Sequence, residues 1–130
     1  DGRQFALATD LGVVTPCVRE HLLGAEFVVL ESNHDREMLR NGPYPAYLKR
    51  RILAGTGHLS NGDCAAFLPE LARAGAKRFL LAHLSGENNT PSLARQEAVS
   101  ALSAAGYQEG TGFWLDVAPV ENQEGKSIIF

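Results

Sequence analysis

Apolar residues in this chain come in two kinds of block. Some are brief, continuous and rich in Val, Leu and Phe, which is the pattern of buried strands; others recur three and four positions apart, which is the pattern of helices. The first strand-like block is 4–9 (Gln-Phe-Ala-Leu-Ala-Thr), closing at Asp10-Leu11-Gly12. Thr15-Pro16 predicts a helix start, with Thr as cap and Pro at the first helical position. That helix carries Val18, Leu22 and Leu23 and stops at Gly24. Residues 26–31 (Glu-Phe-Val-Val-Leu-Glu) read as a buried strand, followed by Ser32-Asn33-His34-Asp35. A helical or irregular stretch holds Met38, Leu39 and a Gly42-Pro43-Tyr44-Pro45 turn, then the basic cluster Lys49-Arg50-Arg51 and the loop Gly55-Thr56-Gly57-His58-Leu59. Ser60 with Asp63 resembles a capping box and opens a helix carrying Phe67, Leu68 and Leu71 to near Gly75. Residues 77–82 form a further strand, ending at His83-Leu84-Ser85; Thr90-Pro91 starts a helix to Ala105, with Gly106 as its stop. Residues 113–118 alternate weakly as a strand, and 127–130 are expected beside it as a hairpin. Strands alternating with helices imply an α/β or α+β fold, its sheet covered on at least one face.

With 130 residues, the chain is one domain's worth. Hydrophobic residues at 45% and charged residues at 21% exclude collagen, coiled coil and bulk disorder. No apolar run approaches the ~20 residues that span a bilayer, and no signal-peptide pattern opens the chain, so no membrane partner and a cytoplasmic location are expected. A net charge of −3 argues against a global polycation, while leaving Lys49-Arg50-Arg51 as either a local contact for a polyanion or a solvated helix face. Cys17 and Cys64 fit neither a disulfide framework nor a zinc knuckle and are expected as buried thiols. Nucleotide-binding glycine motifs are absent from the sequence. The chain opens at Asp1-Gly2 and is already strand-like by Phe5, which reads as a cut through a larger fold.

The informative feature is positional. Three apolar strands each end in a candidate ligand: Asp10, Asn33-His34 and His83. Strand ends on one edge of a layered α/β sheet form a rim where ligands bind. His58 joins them from a glycine-flanked loop immediately before a helix start. Carboxylate oxygen and imidazole nitrogen suit zinc or manganese, and the helix start at Ser60 offers amide groups to a phosphate. Each residue also has a plainer role: Asp10 as a turn former, His34 and His58 as loop side chains, His83 as a hydrogen-bonded buried histidine. His21, between Glu20 and a helix end, is expected to face solvent.

Five strings, in this order, carry a family likeness: Ala8-Thr9-Asp10-Leu11-Gly12, Leu30-Glu31-Ser32-Asn33-His34-Asp35, Lys49-Arg50-Arg51-Ile52-Leu53, Gly57-His58-Leu59-Ser60-Asn61 and Leu81-Ala82-His83-Leu84-Ser85. Together they resemble the C-terminal half of a metallo-β-lactamase-fold hydrolase, in the nuclease and phosphodiesterase branch that includes ribonuclease Z and, nearer to the Glu-Ser-Asn-His-Asp string, small bacterial exonuclease-like proteins. The likeness covers residues 4 to 120.

The resemblance implies an αββα sandwich, of which residues 1–130 would be the C-terminal half, a mixed sheet with covering helices. It implies two divalent metal ions, zinc or manganese, holding a hydroxide that attacks a phosphodiester. Asp10 matches the bridging metal ligand and His83 the last histidine ligand. His58 matches the histidine beside the scissile phosphate, and Asp10 and His58 are the catalytic pair. Asn33 and His34 line the same rim, His34 also as a candidate metal ligand, with Ser60, Ser85 and Asn88 expected to touch substrate phosphate. The family's His-x-His-x-Asp-His motif is absent from this sequence, so the remaining half of the domain is the first expected partner. The half-domain alone is expected to be inactive, and poorly stable or homodimeric. A nucleic acid or another phosphodiester is the expected substrate. Two other readings stand beside this one: an acyl hydrolase of the same fold acting on thioesters, lactams or lactones, and a non-catalytic α/β binding domain.

Overall fold

The computed structural model describes residues 5–8, 15–52 and 58–119. Four strands form one sheet: β1 (Phe5–Ala8), β2 (Phe27–Glu31), β3 (Arg78–Ala82) and β4 (Trp114–Val117). They lie side by side in chain order, and every neighbouring pair is parallel. Parallel neighbours need crossovers. These are α1 (Pro16–Leu22), then α2 (Arg36–Asn41), α3 (Ala46–Arg51) and α4 (Asn61–Arg73) together, then α5 (Pro91–Ala104). The fold is therefore α/β, with helices and a parallel sheet. The expected sheet was mixed; the described strands are parallel throughout, and the hairpin segment 127–130 lies outside the described residues, as does Asp10. The described residues form a single sheet.

Local chemistry explains the helix limits. Thr15 Oγ1 accepts from the Val18 amide at 3.2 Å, Asp35 from Met38 at 3.0 Å, Ser60 from Asp63 at 3.1 Å and Thr90 from Leu93 at 3.1 Å. Each bond satisfies an amide that has no partner inside the helix. At the far ends of α4 and α5 the chain turns through Gly75 (φ 117°) and Gly106 (φ 96°), a conformation that a Cβ would strain. α3 has no side-chain cap and buries no residue. Its last turn carries Lys49, Arg50 and Arg51, and the Lys49 ammonium donates to the Arg40 carbonyl of α2 at 2.7 Å.

The main core lies between the sheet and its helices. Alternate strand residues Val28, Leu30, Phe79, Leu81 and Leu115 cluster with Leu68 and Leu71 of α4 and with Ala94, Ala98 and Leu102 of α5. Phe113 is wholly buried, its ring 6.4 Å from that of Phe79. Burying each large apolar side chain contributes about 1.5–3 kcal/mol. The intervening strand positions form a smaller cluster of Val29, Leu80 and Ala82 with Ala118. Cys64 belongs to the main core, but Cys17 is exposed on α1, contrary to the expectation of two buried thiols. His21 is exposed, as expected. Among the described residues no helix is long and apolar enough to cross a membrane.

Two glycines test this packing with opposite signs. A Cβ on Gly42 would lie 2.7 Å from the Met38 carbonyl and 2.9 Å from Asn88 Oδ1, whereas one on Gly62 meets nothing closer than Glu97 Oε2 at 3.5 Å. Gly42→Ala is expected to lower stability by about 1–3 kcal/mol, and Gly62→Ala, in the first turn of α4, to raise it by about 0.4–1 kcal/mol. Urea unfolding midpoints of the two variants against the parent protein measure both.

Candidate functional site

Because all strands run one way, their C-terminal ends share one edge of the sheet. Glu31, the last residue of β2, pairs in register with Ala82, and His83 follows directly. Glu31 is completely buried. A carboxylate there needs donors close by, since an unpaired buried charge is very costly. It has them on both oxygens. Oε2 accepts from His58 Nδ1 at 2.9 Å and from the Leu59 amide at 2.9 Å; Oε1 accepts from His83 Nδ1 at 2.8 Å. A carboxylate only accepts, so each imidazole carries its proton on Nδ1 when neutral. Nε2 is then the nitrogen through which each ring can meet a metal ion or a phosphate. The two ring centroids are 5.2 Å apart and the rings are tilted by 53°.

His58 arrives from a returning segment. Beyond β2 the chain stays extended and lies parallel to residues 59–60: the Asn33 amide donates to the Leu59 carbonyl at 2.9 Å, and the Asn61 amide to the His34 carbonyl at 2.8 Å. His83 is held differently. Its φ of +64° is a left-handed conformation that a β-carbon disfavours. Asn33 Nδ2 donates to the His83 carbonyl at 2.8 Å, and the Ser85 amide donates to the Asn33 carbonyl at 2.7 Å, fixing the turn on both sides. Beneath lies a buried polar knot: Ser32 Oγ donates to Asn61 Oδ1 at 2.6 Å, Asn61 Nδ2 to Asn89 Oδ1 at 2.8 Å, and Asn89 Nδ2 to the Ser32 carbonyl at 2.9 Å. It joins the segments after β2, before α4 and before α5.

The structure thus brings His58 and His83 together. Asp10 lies outside the described residues. The other expected rim residues have identified partners within the scaffold. Asn33 reaches the His83 carbonyl, Ser60 caps α4, and Ser85 Oγ accepts from the amides of Glu87 and Asn88 at 3.3 and 3.1 Å. Asn88 is buried, and among the described residues its Oδ1 has no hydrogen-bond partner. His34 is 2% exposed, with Nδ1 3.3 Å from Asn33 Oδ1. Burial, aided by the positive charge of Arg36 and by His58, pushes its pKa down to about 4 against the opposing pull of Asp63 and Asp35. The residue the sequence reading missed is Glu31. Its signal was available: an acidic residue closing a strand that is otherwise wholly apolar must be paired.

Glu31, His58 and His83 also form a set able to hold a cation, each offering a ligand atom within 4.8 Å of the others. One carboxylate and two imidazoles suit zinc or manganese. A cation on the carboxylate would displace its N–H donors, whereas one met through Nε2 keeps them. The geometry therefore favours Glu31 as the residue that orients both rings.

No family model matches the chain. Curated relatives do. It is 42% identical over 113 residues to a Bacillus anthracis protein named exodeoxyribonuclease YycJ, which covers 87% of this chain and 43% of that protein. It is 39% identical over 120 residues to exodeoxyribonuclease WalJ of Streptococcus pneumoniae, covering 92% of this chain and 45% of the relative. The chain spans less than half the length of these relatives, and the likeness supports a nuclease-like relationship.

The depressed His34 pKa has a consequence for stability. The unfolded chain takes up a proton near pH 6.5, the folded one only near 4, so stability is complete above pH 6.5 and falls as pH drops through that window. The loss from this group totals about 3 kcal/mol. Urea melts between pH 7 and pH 4 are expected to show His34→Gln losing less stability on acidification than the parent protein.

Proposed function

We propose that the full-length protein is a metal-dependent nuclease, and that this chain supplies the C-terminal part of a metallo-β-lactamase-like domain. The carrying observation is the buried Glu31 carboxylate that gathers His58 and His83 at one edge of a parallel sheet. The relatives named exodeoxyribonucleases support DNA as the substrate.

In this reading His83, through Nε2, and Asp10 hold divalent metal, with further ligands from the rest of the full-length protein. When bound, the metal polarises the phosphate and lowers the pKa of water enough to attack at neutral pH. The residues of this chain do the rest. Glu31 fixes both rings as Nδ1–H donors, which turns the Nε2 lone pair of His83 toward a cation. A protonated His58 can donate from Nε2 to the leaving oxygen or offset charge on the phosphorus-bound oxygens. A thioester gives such a donor less to do, since a thiolate leaves more readily without a proton than the alkoxide of a nucleic acid.

The expected result in the full-length protein is a division of labour. His58→Ala lowers turnover of a DNA oligonucleotide, whose alkoxide leaving group needs a proton, by about 10²–10⁴ with metal content unchanged, while His83→Ala loses metal. Glu31→Gln, which keeps size but loses charge, lowers turnover by about 10–100-fold. Metal analysis beside the assay is decisive: loss of metal from His58→Ala refutes its role, and turnover of nitrocefin or a thioester without turnover of DNA would favour the acyl hydrolase.

A further inference from the structure

We infer that the α2–α3 excursion is a platform for single-stranded DNA, with Tyr47 as a stacking surface for a base and the cations around it holding the phosphate backbone. The inference rests on the nuclease reading above and deepens it by assigning the substrate strand a surface.

The observations are of charge, exposure and position. Between Arg36 and Arg51 the chain carries Arg36, Arg40, Lys49, Arg50 and Arg51 against Glu37 alone, in a protein whose net charge is −3. Two of its three tyrosines, Tyr44 and Tyr47, fall in the same stretch. Tyr47 is 67% exposed, the most exposed large apolar side chain among the described residues. On α3, Tyr47, Arg50 and Arg51 are three and four positions apart, so they share one side of the helix, and all three are exposed; Leu48 and Lys49 are half-buried. Burial in the protein core does not explain this side. An aromatic face beside cations suits a single strand, whose unpaired bases offer π-faces and whose phosphates offer charge. A duplex offers the charge but keeps its bases stacked internally.

Position links the platform to the site. The excursion leaves the sheet at Glu31 and returns at His58, and those two side chains are hydrogen-bonded at 2.9 Å. The excursion that carries the platform is thus anchored at the histidine proposed to act on phosphate. Arg36 is a lesser contributor, because it pairs with Asp63 at 2.7 Å.

The test uses the full-length protein, a fluorescent single-stranded oligonucleotide, a polyphosphate of similar length and bis-p-nitrophenyl phosphate. Tyr47→Ala is expected to weaken oligonucleotide binding about tenfold, to leave polyphosphate binding unchanged and to leave hydrolysis of the small diester unchanged. Tyr47→Trp, which keeps an aromatic face, is expected to bind at least as well as the parent. Arg50→Ala is expected to reduce the slope of log affinity against log salt by about 0.7, the share of one phosphate contact on a single strand. Parent-like oligonucleotide binding by Tyr47→Ala, or an equal loss toward polyphosphate, overturns the stacking role; an unchanged salt slope in Arg50→Ala overturns the backbone contact. Failure of the parent to hydrolyse any phosphodiester refutes the nuclease reading, whereas the binding arms report on the platform alone.

Discussion

A single buried carboxylate organises this structure. Glu31 has no solvent exposure, and three N–H groups from two distant parts of the chain converge on it. Removing a carboxylate from water is costly enough that burial is tolerated only where donors are already in place. The requirement is mutual. His58 and Leu59 must return to the end of β2, and His83 must turn at the end of β3, or Glu31 is left charged and unpaired in an apolar setting. Stability and site geometry therefore share one interaction.

The parallel sheet makes the convergence economical. Register puts Glu31 opposite Ala82, so His83 starts one residue from where it is needed. Alternation of side chains would direct His83 to the face occupied by Phe79 and Leu81, which pack with α4 and α5, while Glu31 shares parity with Phe27 and Val29. The left-handed backbone at His83 breaks that alternation. Strain of this kind costs on the order of 1–3 kcal/mol and persists only when the surroundings over-determine it. Here the surroundings are Asn33, which binds the His83 carbonyl by its side chain and the Ser85 amide by its own carbonyl. The Ser32–Asn61–Asn89 knot fixes Asn33 in turn, and it is buried and internally bonded, as a dry polar network must be to stabilise anything.

Much of this was readable from residues alone. The first three strands were legible because each is built on a continuous apolar run and the fourth by its weak alternation, and the helix starts because Thr15, Ser60 and Thr90 cap locally, within three residues. The meeting of His58 with His83 at one rim was suggested by position and strengthened by the ordered family-like strings, since taken singly His58 was a plausible loop side chain and His83 a plausible hydrogen-bonded buried histidine. Three features escaped. α3 was not read because a helix that buries nothing has no apolar stripe to display. Glu31 was quoted inside a string but given no task, because its partners lie 27 and 52 positions away. Asn33 was read as a rim residue and Ser85 as a phosphate contact, yet tertiary context gives them backbone partners that the sequence does not reveal. Asp10 falls outside the described residues, and its role as a metal ligand belongs to the proposal alone.

The excursion between Glu31 and His58 obeys a different constraint from the site at its base. The entropy of closing a loop rises slowly with length, by about 0.6 kcal/mol for each doubling. Its interior can therefore vary while its ends stay fixed. The ends are fixed redundantly: Asp35 caps α2, its amide donates to the Asn88 carbonyl at 2.8 Å, and Arg36 meets Asp63 at the start of α4. The last of these is half-exposed and is worth at most about 1 kcal/mol, so the cap and the amide bond carry most of the anchoring. In the interior, Lys49 joins α3 to α2 through the Arg40 carbonyl, Leu39 is fully buried and Gly42 packs against Asn88. In the reading proposed above, a change in what α3 meets need not alter how Glu31 holds its two histidines, so substrate choice and chemistry would be separated along the chain itself.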